Sequence, residues 1–115
     1  MDDLTALRSR LDAFVEERDW NQFHTPKNLA MAMMVEAAEL LEHFQWLTPE
    51  ESSNLAPEPR EEVALEIADV LLFLLRLSDK LGIDPIAAAQ RKLELNADKY
   101  PIEQSRGRAV KYDKL

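Results

Sequence analysis

Val63-Ala64-Leu65-Glu66-Ile67-Ala68-Asp69-Val70-Leu71-Leu72-Phe73-Leu74-Leu75 is apolar at every position except Glu66 and Asp69. A surface helix carries one apolar stripe. A segment apolar on nearly all sides reads as a buried helix. Arg76 interrupts it well short of the roughly 20 apolar residues that a membrane crossing takes. Three residues apart, Glu66 and Asp69 share one helical face in the most apolar part of the chain. An isolated buried carboxylate is costly or takes up a proton. A bound cation compensates such a pair most simply, and salt bridges to Arg or Lys are the bland alternative.

The 115 residues fit one domain, read here over residues 1–115 with a basic tail from about residue 102. A chain this small buries a limited share of its surface, so a helix apolar all round predicts a homo-oligomer whose subunits share a core. Only two glycines in the chain argue against a turn-rich β fold. There is no cysteine, which removes disulfides, thiolate zinc sites and thiol nucleophiles from consideration. The Met-Asp-Asp-Leu-Thr start has neither a basic region nor an apolar signal core, and the expected location is cytoplasmic, with no membrane partner. The net charge of −8 disfavours a nucleic-acid polymer as partner. Its distribution is uneven, because residues 1–90 hold 7 Lys/Arg against 18 Asp/Glu whereas residues 91–115 hold 7 against 4. That reversal fits either a solvated tail or an anion-binding segment.

Outward from the central stretch, the pattern is helical throughout. Leu4, Leu7, Leu11, Phe14 and Val15 follow amphipathic spacing and predict a first helix ending near Asp19. Trp20 to His24 has no clear period and reads as a loop. Thr25-Pro26 is a helix start, with a capping hydroxyl before Pro at the first helical position. The second helix is predicted over Pro26–Phe44, with Leu29, Met33, Ala37, Leu40, Leu41 and Phe44 as its apolar face and Met31, Met33 and Met34 filling core. Thr48-Pro49-Glu50-Glu51 looks like a further short capped start. The central helix is predicted from about Pro59 to Leu81, with Gly82 as its stop. Asp84-Pro85 opens a fourth helix that runs to Lys99, where Tyr100-Pro101 ends it. Residues 102–115 have little periodicity and are expected to be extended or partly ordered. With no strand-like alternation anywhere, the fold class is all-α, a four-helix-type bundle.

Two helices carry carboxylate pairs at the same spacing, Glu36 with Glu39 and Glu66 with Asp69. If the helices pack antiparallel, four acids converge. An oxygen-only set suits a hard cation, Mg²⁺ or Mn²⁺. A bundle-type di-iron centre needs Glu-x-x-His pairs, which neither His24 nor His43 supplies. The first pair taken alone reads equally as a solvated face. Mg²⁺ held by few carboxylates commonly completes its shell with water and phosphate oxygens. Lys92, Asn96 and Lys99 share a face of the fourth helix, and Arg106, Arg108 and Lys111 follow in the tail. Acids for a metal, bases for phosphates, and Trp20, Phe23, Trp46 and Tyr100 for a base to stack on together suggest a Mg-nucleotide site, although each aromatic taken singly reads first as core. No Walker-type glycine loop is present.

These residues resemble a known family. Glu36-x-x-Glu39 followed by Glu66-x-x-Asp69 is similar to the signature of the MazG-like all-α nucleotide pyrophosphohydrolases. Closer still is the dCTP pyrophosphatase branch. The resemblance includes Glu17-Arg18-Asp19-Trp20-Asn21-Gln22-Phe23-His24 with Pro26-Lys27-Asn28-Leu29, and Glu42-x-Phe44-Gln45-Trp46 after the first acidic pair. It continues through Asp69-Val70-Leu71, Lys92-x-x-x-Asn96-x-x-Lys99-Tyr100-Pro101, and Ser105-Arg106-Gly107 to Lys111-Tyr112. It implies a Mg²⁺-dependent enzyme that hydrolyses a nucleoside triphosphate between its α- and β-phosphates, assembled as a dimer or tetramer. It puts Glu36, Glu39, Glu66 and Asp69 on metal-ligand positions, with Glu39 or Glu36 as general base. Trp20, His24, Trp46 and Asn96 fall on positions like the family's base and sugar pocket, and Lys92, Lys99, Tyr100, Arg106 and Lys111 on the phosphate side. Two other readings compete: a MazG-type enzyme of broad or purine preference, and a noncatalytic helical oligomer that binds nucleotide or protein.

Overall fold

A computed structural model describes residues 2–115. Among the described residues there are six α-helices, two short 3-10 turns and no strand. The helices are α1 (Asp3–Glu17), α2 (Pro26–Glu42), α3 (Pro49–Ser52), α4 (Pro57–Leu81), α5 (Pro85–Lys99) and α6 (Ile102–Ser105). The 3-10 turns are Asn21–Phe23 and Tyr112–Lys114. The all-α class read from the periodicity is therefore the observed one. No helix among the described residues is long and apolar enough to cross a membrane.

The helix starts follow local side-chain chemistry. Asp2 accepts from the Thr5 amide at 2.7 Å and Thr25 from the Asn28 amide at 3.2 Å, each satisfying a donor that the first turn leaves free. At Thr48 the exchange is reciprocal: its hydroxyl accepts from the Glu51 amide at 3.1 Å, and Glu51 accepts from the Thr48 amide at 2.9 Å. Pro occupies the start of α2, α3, α4 and α5, where its missing N–H costs nothing. The stops differ. Gly82 ends α4 with φ +65, the left-handed conformation that glycine adopts without penalty.

The end of α1 is made by Asp19, a non-glycine residue at φ +55. The Asp19 amide donates to the Glu16 carbonyl at 3.0 Å and the Trp20 amide to the Val15 carbonyl at 3.1 Å. Those two bonds are the pattern that closes many helix C-termini, and an apolar contact back to the last turn accompanies them. Here it is Trp20 set edge-on to Phe14, ring centroids 5.7 Å apart.

The chain clusters into two compact units, one up to Gly82 and one over Ile83–Leu115. In the first, α2 packs along α4. His43 of the α2 end lies 3.9 Å from Glu62 near the α4 start, Glu36 meets Glu66 midway, and His24 just before α2 meets Arg76 near the α4 end. Partners ascend one helix as they descend the other, so the pair is antiparallel. α1 is tied to α4 by an Arg8–Asp79 ion pair and by Arg76 Nη1 on Asp12 at 3.0 Å. Val15, Leu29, Val63 and Leu75 form the buried apolar core of this unit.

Burial departs from the sequence expectation on α4. Leu65 (60% exposed), Ile67 (53%), Leu71 and Leu74 (both 41%) lie outside that core. Met31, Met34 and Leu41 of α2 are likewise exposed, so two of the three methionines expected in the core are not there. The reason is geometric: within the first unit α1 and α2 lie against α4, and a 115-residue chain has few elements with which to cover the rest of it.

In the second unit, Asp84 caps α5 by accepting from the Ile86 and Ala87 amides. The tail is more ordered than its weak periodicity predicts. The Tyr112 amide donates to Tyr100 Oη at 3.2 Å, and the two rings meet edge-on at 6.2 Å. Arg108 donates to the Gln104 and Lys114 carbonyls. These contacts are side-chain-specific rather than periodic, so a hydrophobic pattern does not reveal them.

Candidate active site

The antiparallel register of α2 and α4 brings carboxylates together. One oxygen from each of Glu36, Glu39 and Glu66 lies within 4.8 Å of the others. Glu39 is exposed and the other two are half-buried. Glu36 Oε2 and Glu66 Oε2 are each buried without a hydrogen-bond partner. A buried acceptor left unpaired is costly, and two of them on acids of one close cluster mark a place for a positive group. The donor set, all carboxylate oxygen, suits a hard divalent cation. Burial raises the Glu36 pKa from an ordinary 4.5 to about 7, helped by the neighbouring Glu39, Glu66 and Asp69 carboxyls. Like charges this close do not all ionise unless a cation joins them.

Asp69, one turn further along α4, is not in the close trio, although its charge reaches Glu36. It lines an adjoining pocket of about 250 Å³ in the same unit. The walls are Leu11, Phe14, Val15, Leu72 and Phe73, and the polar or aromatic edge is Trp20, His24, Asp69 and Arg76. A mostly apolar cleft with a few convergent polar groups is the usual form of a small-molecule site. Trp20 and His24 reach it because the α1 terminus folds Trp20 back on Phe14 and the next 3-10 turn carries the chain to Thr25. His24 has a lowered pKa, chiefly through burial and then through the charges of Arg76 and Lys80.

Other candidates lie elsewhere. Trp46, 86% exposed in the turn after α2, is not among the residues lining this pocket. Lys92, Asn96, Lys99, Tyr100, Arg106 and Lys111 belong to the second unit. Within it, Lys99 Nζ stands 5.0 Å and Lys111 Nζ 5.8 Å from the centroid of the Tyr112 ring, so one aromatic ring lies near two cations that are twelve residues apart. Tyr112 and Arg76 have no assigned part in the sequence reading. Arg76 registers there only as the residue that ends an apolar run. Its position in that run is the signal, because a lone arginine in a buried segment requires partners.

An all-α chain with a carboxylate trio beside an aromatic-edged pocket defines a metal-and-ligand class of site. The chain belongs to the MazG-like family, whose sequence model matches residues 31–115. It is 43% identical over 104 residues to dCTP pyrophosphatase 1 of Bos taurus, covering 89% of this chain and 62% of that protein. Identity to dCTP pyrophosphatase 1 of Homo sapiens is 40% over 104 residues, covering 89% and 61%. The chain thus spans somewhat under two thirds of the length of these relatives. Its fold is similar to the crystal structure of a pyrophosphatase from Archaeoglobus fulgidus, with a TM-score of 0.83 and 44% identity, covering 88% of this chain and 94% of that one.

Proposed function

We propose that this protein is a Mg²⁺-dependent nucleoside triphosphate pyrophosphohydrolase that cleaves dCTP, or a base-modified dCTP, to the monophosphate and pyrophosphate. The observation that carries this reading is the pair of unpartnered buried oxygens on Glu36 and Glu66, beside Glu39 and next to the pocket of Trp20 and His24. Relatives named dCTP pyrophosphatase 1 support the substrate class.

Glu36, Glu39 and Glu66, with Asp69 at the pocket edge, would hold the metal, for which Mn²⁺ is the natural substitute. Bound there, the ion supplies neutralisation of phosphate charge and a more acidic water. The chain's own residues do the rest. Glu39, the exposed acid of the trio, would take a proton from water attacking the α-phosphorus, whereas the Glu36 pKa is raised to about 7 by burial and then by the neighbouring carboxyls. Trp20 offers a stacking face for the base, and the apolar walls of the pocket exclude water from it. By the motif resemblance, Trp46 and Asn96 serve the base and sugar. Lys92, Lys99, Tyr100, Arg106 and Lys111 serve the phosphates, with Lys99 and Lys111 presented together by Tyr112. The exposed apolar side chains of α4 support a homo-oligomer, dimer or tetramer. A cytoplasmic enzyme acting on free nucleotide rather than nucleic-acid polymer accords with the net charge of −8.

The test is a product assay with Mg²⁺ against a panel of deoxy- and ribonucleoside triphosphates, resolving pyrophosphate from phosphate. Pyrophosphate released fastest from dCTP or a 5-substituted dCTP is the expected result. A purine preference would keep the chemistry and discard the pyrimidine pocket. No turnover of any triphosphate would leave a noncatalytic nucleotide- or protein-binding oligomer.

A further inference from the structure

Arg76 is 6% exposed and the only buried charged side chain among the described residues. Each arm of its guanidinium has a partner. Nη1 donates to Asp12 Oδ1 at 3.0 Å and Nη2 to Asn21 Oδ1 at 2.7 Å, while Nε donates to His24 Nδ1 at 3.3 Å. Asn21 Oδ1 also lies 3.4 Å from Lys80 Nζ, which holds that amide oxygen toward the cations. The guanidinium has only donors and stays charged in proteins. The imidazole nitrogen facing it must therefore be the unprotonated one, and the single ring proton sits on Nε2.

We propose that Arg76 is a positioning residue for His24: its guanidinium locks the imidazole in the Nε2–H tautomer, so that the pocket presents one fixed hydrogen-bond donor and selects ligands with an acceptor there, such as a nucleobase carbonyl oxygen. The choice of ligand rests on the nucleotide reading above; the tautomer lock does not. Around the ring the charged groups are Arg76 and Lys80, both positive, with Asp12 engaged by Arg76 and Asp69 at the pocket edge. Burial and the two cations disfavour imidazolium, in keeping with a ring that stays neutral. A fixed donor discriminates more sharply than a rotating one, because a ligand without the acceptor leaves it buried and unpaired.

Two variants separate positioning from simple packing. Arg76→Met keeps an unbranched stem in the buried channel and removes every donor; Asp12, whose side chain is 55% exposed, can return to water when its partner goes. Arg76→Lys restores one donor and the charge. The first readout is ¹⁵N NMR of the His24 side chain in nucleotide-free protein. Wild type should show an unprotonated Nδ1 and a protonated Nε2, Arg76→Met a mixture of tautomers, and Arg76→Lys a partial return. The second is steady-state hydrolysis of dCTP, with KM raised about tenfold in Arg76→Met, kcat nearly unchanged, and KM partly recovered in Arg76→Lys. A tautomer mixture already present in wild type, or an Arg76→Met protein with an unchanged His24 signature, overturns the proposal. A shifted tautomer with an unchanged KM overturns the ligand-selecting part. If wild type hydrolyses no triphosphate, the nucleotide ligand falls with the function, while the NMR result still decides the lock.

Discussion

In the absence of divalent metal, the carboxylate trio should make the fold less stable as pH rises, and Glu36→Gln should remove the effect. Glu36 holds its proton up to about 7 in the folded protein, against an ordinary 4.5. Between those values the folded state binds more protons than the unfolded chain, so stability falls with increasing pH. The contribution is fully present below the unfolded value and lost as pH rises through about 7. At about 1.4 kcal/mol per pH unit the ceiling is about 3.5 kcal/mol. Glu39 at the mouth is exposed and water screens the cluster, which reduces the expected effect to about 1–2 kcal/mol. Glutamine keeps the shape of the neutral acid and cannot ionise. The assay is urea denaturation of both proteins with a chelator, at about pH 4 and about pH 8. The variant should match wild type at the lower pH and exceed it by about 1–2 kcal/mol at the higher. Taking the difference between the two proteins cancels His24, whose lowered pKa works the other way, its stabilisation being present above about 6.5 and lost on acidification. A difference that does not change with pH, or a variant less stable at the higher pH, would refute the reasoning. With Mg²⁺ added at the higher pH, wild type should gain stability and the variant should gain less.

Asp69→Asn should abolish pyrophosphate release and leave the far-ultraviolet circular dichroism and melting temperature close to wild type; unfolding instead would make the aspartate structural. Asp19→Gly should stabilise by about 0.5 kcal/mol, because the left-handed conformation costs an L-residue roughly 1 kcal/mol and the greater freedom of unfolded glycine offsets part of that. A rise of about 2 °C in melting temperature checks it, and a fall would show that the Asp19 side chain, which accepts from Gln22 at 3.1 Å, matters more than the backbone. Leu29→Ala should cost about 3 kcal/mol, since Leu29 is 1% exposed at the core of the first unit; a loss below about 1 kcal/mol in urea denaturation would show that the neighbouring helices close over the gap.

Helices, their starts and their stops were legible from local chemistry. Thr25-Pro26, Thr48-Pro49 and Asp84-Pro85 each begin a helix at the residue that the cap-plus-proline pattern indicates, and Gly82 ends one. The errors are small and local: α1 stops at Glu17 rather than near Asp19, α4 starts at Pro57 rather than Pro59, and α2 stops at Glu42 rather than Phe44. Such signals act over a few residues, so one sequence contains them in full. Acids at i, i+3 on two helices were also visible as candidates, because the helical period sets which positions share a face.

Long-range relations depended on register. That Glu36, Glu39 and Glu66 form the close trio while Asp69 lines the pocket follows from how far α2 slides along α4. The same three-residue spacing keeps Glu36 and Glu39 together on α2 yet sets Asp69 apart from the trio on α4, so the helical period alone does not choose between them and the register does. Burial went the same way. An apolar sequence says which side chains disfavour water but not which of them a neighbour covers, so α4 read as buried while Leu65 and Ile67 lie exposed. Arg76 and the Tyr100–Tyr112 pair depend on side-chain hydrogen bonds and ring contacts between residues 12 to 64 apart in the chain, for which periodicity carries no signal. Sequence alone determined an all-α chain, its helices and the acids able to converge, since each follows from neighbours within one or two turns. Only the tertiary structure decided which carboxylates meet, which side chain faces His24 Nδ1 and which apolar side chains the single chain leaves exposed, because those depend on the packing register between helices.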